Sequence, residues 1–215
     1  MRLLAYLGGM LLWLPLAATA LTGAEVAAKA REQFASSSTF SARFEKQLYW
    51  TALDKTQKLQ GRIYTRKPDR FRVEVEGGDL VVADGQAIWV YSKKNQQVVV
   101  SAYQGEVRTP WQILLDYTSQ WAPVGVEETK LDGQACYLLA LQPPSGRASS
   151  GQLKVWLDRR RWLPLKVEQK DESDNLVTYV LRDHRLGTKL DAGLFRFNAP
   201  PGVEVIDRRG DGQSK

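Results

Sequence analysis

The chain has 215 residues, 43% hydrophobic and 25% charged, with a formal net charge of +6. That length suits one domain with a sizeable core, and a single histidine with a single cysteine supplies neither a metal cluster nor an internal disulfide. The basic balance suits acidic partners such as anionic headgroups or an acidic protein, but Lys and Arg are scattered and no nucleic-acid motif accompanies them, so nucleic acid is not expected.

Residues 1–20 have the pattern of a secretory signal peptide. Met1-Arg2 is a short positive start, Leu3 to Leu16 is nearly all apolar, and Ala18-Thr19-Ala20 is a small-x-small cleavage site. Residues 21–215 then form one exported domain with a net charge of +5, since one basic residue leaves with the signal. Thr22 to Ser36 is expected to be helical, with Thr22 as the cap and Val26, Ala30 and Phe34 on a narrow apolar stripe that can lie across a sheet edge. From Thr39 the period becomes two: Phe40, Ala42 and Phe44 face one way, Ser41, Arg43 and Glu45 the other. Asp54-Lys55 turns the chain into a returning strand, Lys58 to Thr65.

Gly61 to Gln97 continues as a ladder of short strands. Phe71, Val73 and Val75 alternate with Arg72, Glu74 and Glu76, and Lys67-Pro68-Asp69, Glu76 to Asp79 and Asp84-Gly85 are turn signals. Ile88 to Tyr91 places two large rings in one strand, and Val98 to Tyr103 follows. Thr109-Pro110 opens a short helix whose Trp111, Ile113, Leu114, Leu115 and Tyr117 make it apolar nearly all round. Strands resume at Val124–Leu131, Ala135–Gln142, Gly151–Asp158, Leu163–Lys170 and Leu176–Arg182. Roughly ten strands at 8–12-residue spacing, with two helices, predict an antiparallel sandwich or barrel.

No catalytic constellation accompanies this scaffold. His184, between Asp183 and Arg185 at a strand end, is expected to be exposed, and no G-x-S-x-G elbow stands elsewhere. Cys136, in the strand Ala135 to Leu139, is expected to be a buried inert thiol. No metal ligands, cofactor loop or paired carboxylates on one face are visible, so a non-enzymatic binding protein without cofactor is expected. Six Trp remain after the signal peptide: Trp50, Trp89, Trp111, Trp121, Trp156 and Trp162. They either fill a core or, if the sheet curls into a half-barrel lidded by helices, line a cavity.

Several short motifs occur in a telling order: FSARFEKQ from Phe40 after the first helix; Gly61 with basic-Pro-x-x-Phe at Lys67, Pro68 and Phe71; VVADGQAIWVY from Val81; Thr109-Pro110; and Phe195-Arg196-Phe197 before Pro200-Pro201-Gly202-Val203. Together they resemble the periplasmic outer-membrane lipoprotein carrier protein (LolA) family. The resemblance implies an incomplete antiparallel β-barrel (half-barrel) of about ten or eleven strands with a helical lid over an apolar cavity. It implies a periplasmic, monomeric carrier that binds the acyl chains of acylated lipoproteins. Its partners would be an inner-membrane lipoprotein-releasing transporter and an outer-membrane lipoprotein acceptor. Phe44, Phe71, Val73, Trp89 and Trp156 would line the wall, Trp111, Ile113 and Leu114 the lid. Lys67 stands where the family pattern has a lid-latching Arg, with Arg66 turned to the other face. A lipid- or lipoprotein-sensing module, a carrier of another glycolipid or lipid, and an esterase acting on lipid are the alternatives.

Overall fold

The computed structural model describes residues 20–103, 121–143 and 151–210. The first element is a helix, α1 (Gly23–Ala35), started by a capping box: the Thr22 hydroxyl accepts the Glu25 N–H, and the Glu25 carboxylate accepts the Thr22 N–H at 2.7 Å. Its buried face is Val26, Ala27, Ala30 and Phe34.

Twelve strands follow: β1 (Thr39–Trp50), β2 (Lys55–Arg66), β3 (Arg70–Val75), β4 (Leu80–Asp84), β5 (Ala87–Ser92), β6 (Gln97–Ala102), β7 (Ala122–Leu131), β8 (Gln134–Gln142), β9 (Gln152–Asp158), β10 (Pro164–Lys170), β11 (Leu176–Leu186) and β12 (Glu204–Asp207). All belong to one sheet in the order β12-β6-β5-β4-β3-β2-β1-β11-β10-β9-β8-β7. The sheet is open, with β12 and β7 at its two edges. Neighbours are antiparallel except β12, which runs parallel to β6.

The turns form where polar side chains can close them. Asp84 Oδ1 accepts the N–H groups of Gln86 and Ala87 at 2.8 and 2.9 Å, and Gly85 takes φ 98°. Between β9 and β10, Asp158 Oδ1 accepts the Arg160 and Arg161 N–H groups at 2.7 and 2.6 Å. These contacts hold the buried Asp158 carboxyl below its ordinary range against the opposing effect of burial.

The main core combines α1 with Phe40, Ala42 and Phe44 of β1, Ile63 of β2, Leu181 of β11 and the inward residues of β8 and β9, among them Leu139, Leu141, Leu153, Val155 and Leu157. Residues from distant strands meet in one cluster because the sheet curls around the helix. The expected half-barrel is therefore present, with α1 packed on the edge pair β7 and β8. Among the described residues the strands number twelve and not ten or eleven, because the four-residue β12 emerges from the turn at Pro200–Gly202 and carries too short an alternation to stand out.

Two local expectations meet the structure differently. Cys136 is buried, and burial pushes its thiol up, as suits an inert position. His184 is buried rather than exposed, at 9% relative accessibility. The cause is a bulge: β1–β11 pairing shifts between Ser41 and Arg43, and Asp183 takes φ 53°. The extra residue resets the alternation, so Asp183 stays outside while His184 packs beside the Phe40 ring, with Nε2 2.7 Å from the Pro164 carbonyl oxygen.

Candidate functional site: the inner face of the open sheet

Strand pairing fixes which side chains share the face that carries α1. Across β2, β3, β4, β5, β6 and β12, directly paired residues are Ile63, Val73, Val81, Val90, Val99 and Ile206. Every one is β-branched and aliphatic. Ile63 lies in the main core, Val73, Val81, Val99 and Ile206 are half-buried, and Val90 is 45% exposed. One aliphatic row thus runs from the core to the sheet edge, and its outer part keeps apolar surface uncovered.

The row beside it is more buried: Phe71, Ala83 and Ile88 form a second cluster, against which Val73, Val81 and Tyr103 pack. The Phe71 and Tyr103 rings meet edge-on at 6.1 Å, and burial pushes the Tyr103 phenol up. Phe44 lies further along the same face, where it closes over Gly61 of β2. Among the sheet residues expected to line a cavity, Phe44, Phe71 and Val73 thus share the inner face.

Trp89 and Trp156 do not. Trp89 pairs with Val82 and Val100 on the opposite face, where it stacks on Phe197 of the C-terminal segment at 6.3 Å. Trp156 pairs with Lys166, whose ammonium lies 4.6 Å from its ring centroid, also outside. Ring size pointed to these two residues, but alternation decides the face. The neighbours Val81, Val90 and Val99 take the inner positions instead, and strict period-two reading from Val73 could have found them. Trp111, Ile113 and Leu114 lie outside the described residues.

Lys67 sits in the β2–β3 turn and donates from Nζ to the backbone carbonyls of Phe34 and Ala35, at 2.6 and 3.1 Å. Its ammonium also lies 4.6 Å from the Phe34 ring centroid. It therefore satisfies carbonyls at the C-terminal end of α1, where a cation is favoured, although burial pushes its pKa down. Arg66 points to the other face, as expected, and donates to the Leu190 carbonyl while lying over the Phe195 ring. Among the described residues no group of His, Cys, Asp and Glu could hold a metal ion, and no helix is long and apolar enough to cross a membrane.

The family described as outer membrane lipoprotein carrier protein LolA matches residues 35–198. The chain belongs to the LolA family. The outer-membrane lipoprotein carrier protein of Actinobacillus pleuropneumoniae serotype 3 is 28% identical over 201 residues, covering 91% of this chain and 90% of the relative. That of Chromohalobacter salexigens is 27% identical over 209 residues, covering 94% and 95%. Among solved structures, an uncharacterized conserved protein from Thermus thermophilus shares the fold with a TM-score of 0.56 at 17% identity, covering 86% of this chain and 98% of that one. The carbonyl contacts at this turn are made from Lys67, a point donor without Arg's planar fork.

Proposed function

We propose that this chain is a periplasmic carrier that takes the acyl chains of lipoproteins on its inner face. It would receive them from an inner-membrane lipoprotein-releasing transporter and deliver them to an outer-membrane acceptor, acting as a monomer without catalysis or cofactor. Residues 1–20 serve as its export signal and 21–215 as its single domain.

The observation that carries this reading is the aliphatic row from Ile63 to Ile206 in a chain of the LolA family. Five strand spacings of about 4.8 Å make the row roughly 24 Å long. That exceeds the half-thickness of a bilayer's hydrocarbon core, ~15 Å, so a whole acyl chain can lie along it. Leaving on the order of 45 methylenes in water costs roughly 35 kcal/mol at about 0.8 kcal/mol each, so lipoproteins need a carrier to cross an aqueous space. Phe71 and Val73 form the floor of the site, with Phe44 at its deep end.

The test is mass spectrometry of protein purified from the cell envelope. Acylated lipoprotein is expected on the native chain. Val90→Lys places a charge in the exposed part of the row, where folding does not depend on it, and should remove most of the cargo at unchanged thermal stability. Full cargo on folded V90K would rule out the row as the binding surface. A charge at Leu114 should have the same effect, and depletion of the protein should mislocalise lipoproteins; a transcriptional response without mislocalisation would favour a sensing role.

A further inference from the structure

The opposite face of the sheet holds a second feature, unrelated to the aliphatic row. Where β1, β2 and β11 meet, a groove of about 340 Å³ opens between the strands and residues 187–191. Ser41 forms its floor. Ser41 is about nine-tenths buried, at 9% relative accessibility, and its hydroxyl has no hydrogen-bond partner among the described residues. A buried hydroxyl left unpaired is unfavourable, which makes it a marker for a missing acceptor or donor.

The surroundings specify which kind. Register places Arg185 directly beside Ser41 on β11, while Arg43, two residues along β1, is paired with Arg62 of β2. Lys189 closes the groove from the following loop. Four cations thus line the groove that Ser41 floors, Arg62 bonded to the Tyr64 side chain, against a single lining carboxylate, Asp183, which is taken up by Arg43 at 3.1 Å. Arg185 and Lys189 have no ion-pair partner among the described residues. The loop wall is fixed in place: Gly187 N–H donates to the Thr39 carbonyl at 3.1 Å, Thr39 Oγ1 donates to the Thr188 carbonyl at 2.8 Å, and Arg66 holds Leu190. The charges therefore border a built concavity and are not loose surface side chains.

We infer that this groove binds a phosphate group, with the Ser41 hydroxyl, Arg62, Arg185 and Lys189 as its donors. A planar carboxylate is satisfied by one guanidinium approaching edge-on. Donors that arrive from the floor, from two strands and from a loop suit the acceptors of a tetrahedral oxyanion. Both a free phosphate and the phosphodiester of a lipid headgroup offer that chemistry.

The full exported chain is titrated by calorimetry with inorganic phosphate, with acetate, and with vesicles of phosphatidylglycerol or phosphatidylcholine. Saturable binding of phosphate or of phosphatidylglycerol vesicles is expected, weakened about tenfold by Arg185→Ser and severalfold by Ser41→Ala, in line with loss of one charge-assisted and one neutral donor. Lys94→Ala, an exposed cation in the β5–β6 turn, should leave it unchanged. A response to inorganic phosphate alone identifies free phosphate as the ligand; a response to phosphatidylglycerol vesicles identifies the headgroup. The inference is overturned if neither binds, if acetate binds equally well, or if K94A weakens binding as much as R185S. Arg185 is exposed and its replacement leaves the inner face intact, so R185S should retain acylated cargo. That keeps the outcome distinct from the carrier reading.

Discussion

Single residues carry two measurable consequences. Lys67 joins the β2–β3 turn to the last carbonyls of α1. Lys67→Met keeps the aliphatic stem and removes both donated bonds, and should cost about 1–2 kcal/mol. In a domain of this size that lowers the melting temperature by roughly 2–4 °C per kcal/mol. Lys67→Arg should keep most of the stability, since a guanidinium can serve the same two oxygens. His184 couples stability to pH. Burial holds its imidazole below the ordinary 6.5, the Arg161 charge acting in the same direction, while the Pro164 contact, Asp158 and Asp183 oppose it. The neutral ring is thus the folded form: its contribution is complete above about pH 6.5 and is lost as pH falls through the depressed folded value. Urea unfolding at pH 7.5 and 5.5 should show that loss in the native chain and a smaller one in His184→Gln, which keeps an N–H donor but does not titrate. Equal slopes in the two proteins would exclude His184 as the source. The position of Lys67 beside a turn proline was legible from the sequence, but its acceptors were not, because they belong to a helix some thirty residues away. The burial of His184 was hidden for a different reason: a one-residue bulge inverts the alternation, and nothing in Arg182-Asp183-His184-Arg185 announces it.

Among elements, β2 shows how closely the inner face is built. A Cβ at Gly61 would run into the Glu74 carbonyl oxygen of β3 and lie 2.9 Å from Phe44 Cζ. Gly61→Ala must therefore spread the β2–β3 pair or displace the Phe44 ring, and should cost about 1–3 kcal/mol. A lower urea midpoint with an unchanged slope would be the signature; wild-type stability would mean that β3 moves freely, which the pairing on both its sides opposes. Helix α1, β1 and the strands β8 to β10 were legible to within about a residue, because capping chemistry, period-two alternation and turn residues all agree there, whereas β11 runs four residues past the expected Arg182 to Leu186, through its bulge. Ring size is no guide to the inner or outer sense of β5 and β9: Trp89 and Trp156 both stand on the outer face. A large ring is equally at home on the outer face when a neighbouring segment covers it, as Phe197 covers Trp89.

Over the whole molecule, the architecture follows from one sheet that curls without closing. Its apolar inner face is filled by α1 over β7 and β8 and by core side chains at β1 and β2, and beyond them the aliphatic row is only half-covered, most open at Val90 of β5. The half-barrel was legible from strand spacing and motif order. The continuous aliphatic row was not, since it arises from the register of six strands, the last of which joins about 100 residues after its neighbour. The six side chains of that row share one further property. Each is branched at Cβ and therefore stiff at χ1. A surface of this kind has almost no rotamer freedom to surrender when a chain settles on it and none to regain when the chain departs. It also presents the same methyl relief at every strand, so a guest advancing by one strand spacing finds an equivalent resting place. On the proposed reading, such a surface would work as a rail: an acyl chain would leave by sliding lengthwise past β12, without having to peel away from all its contacts at once.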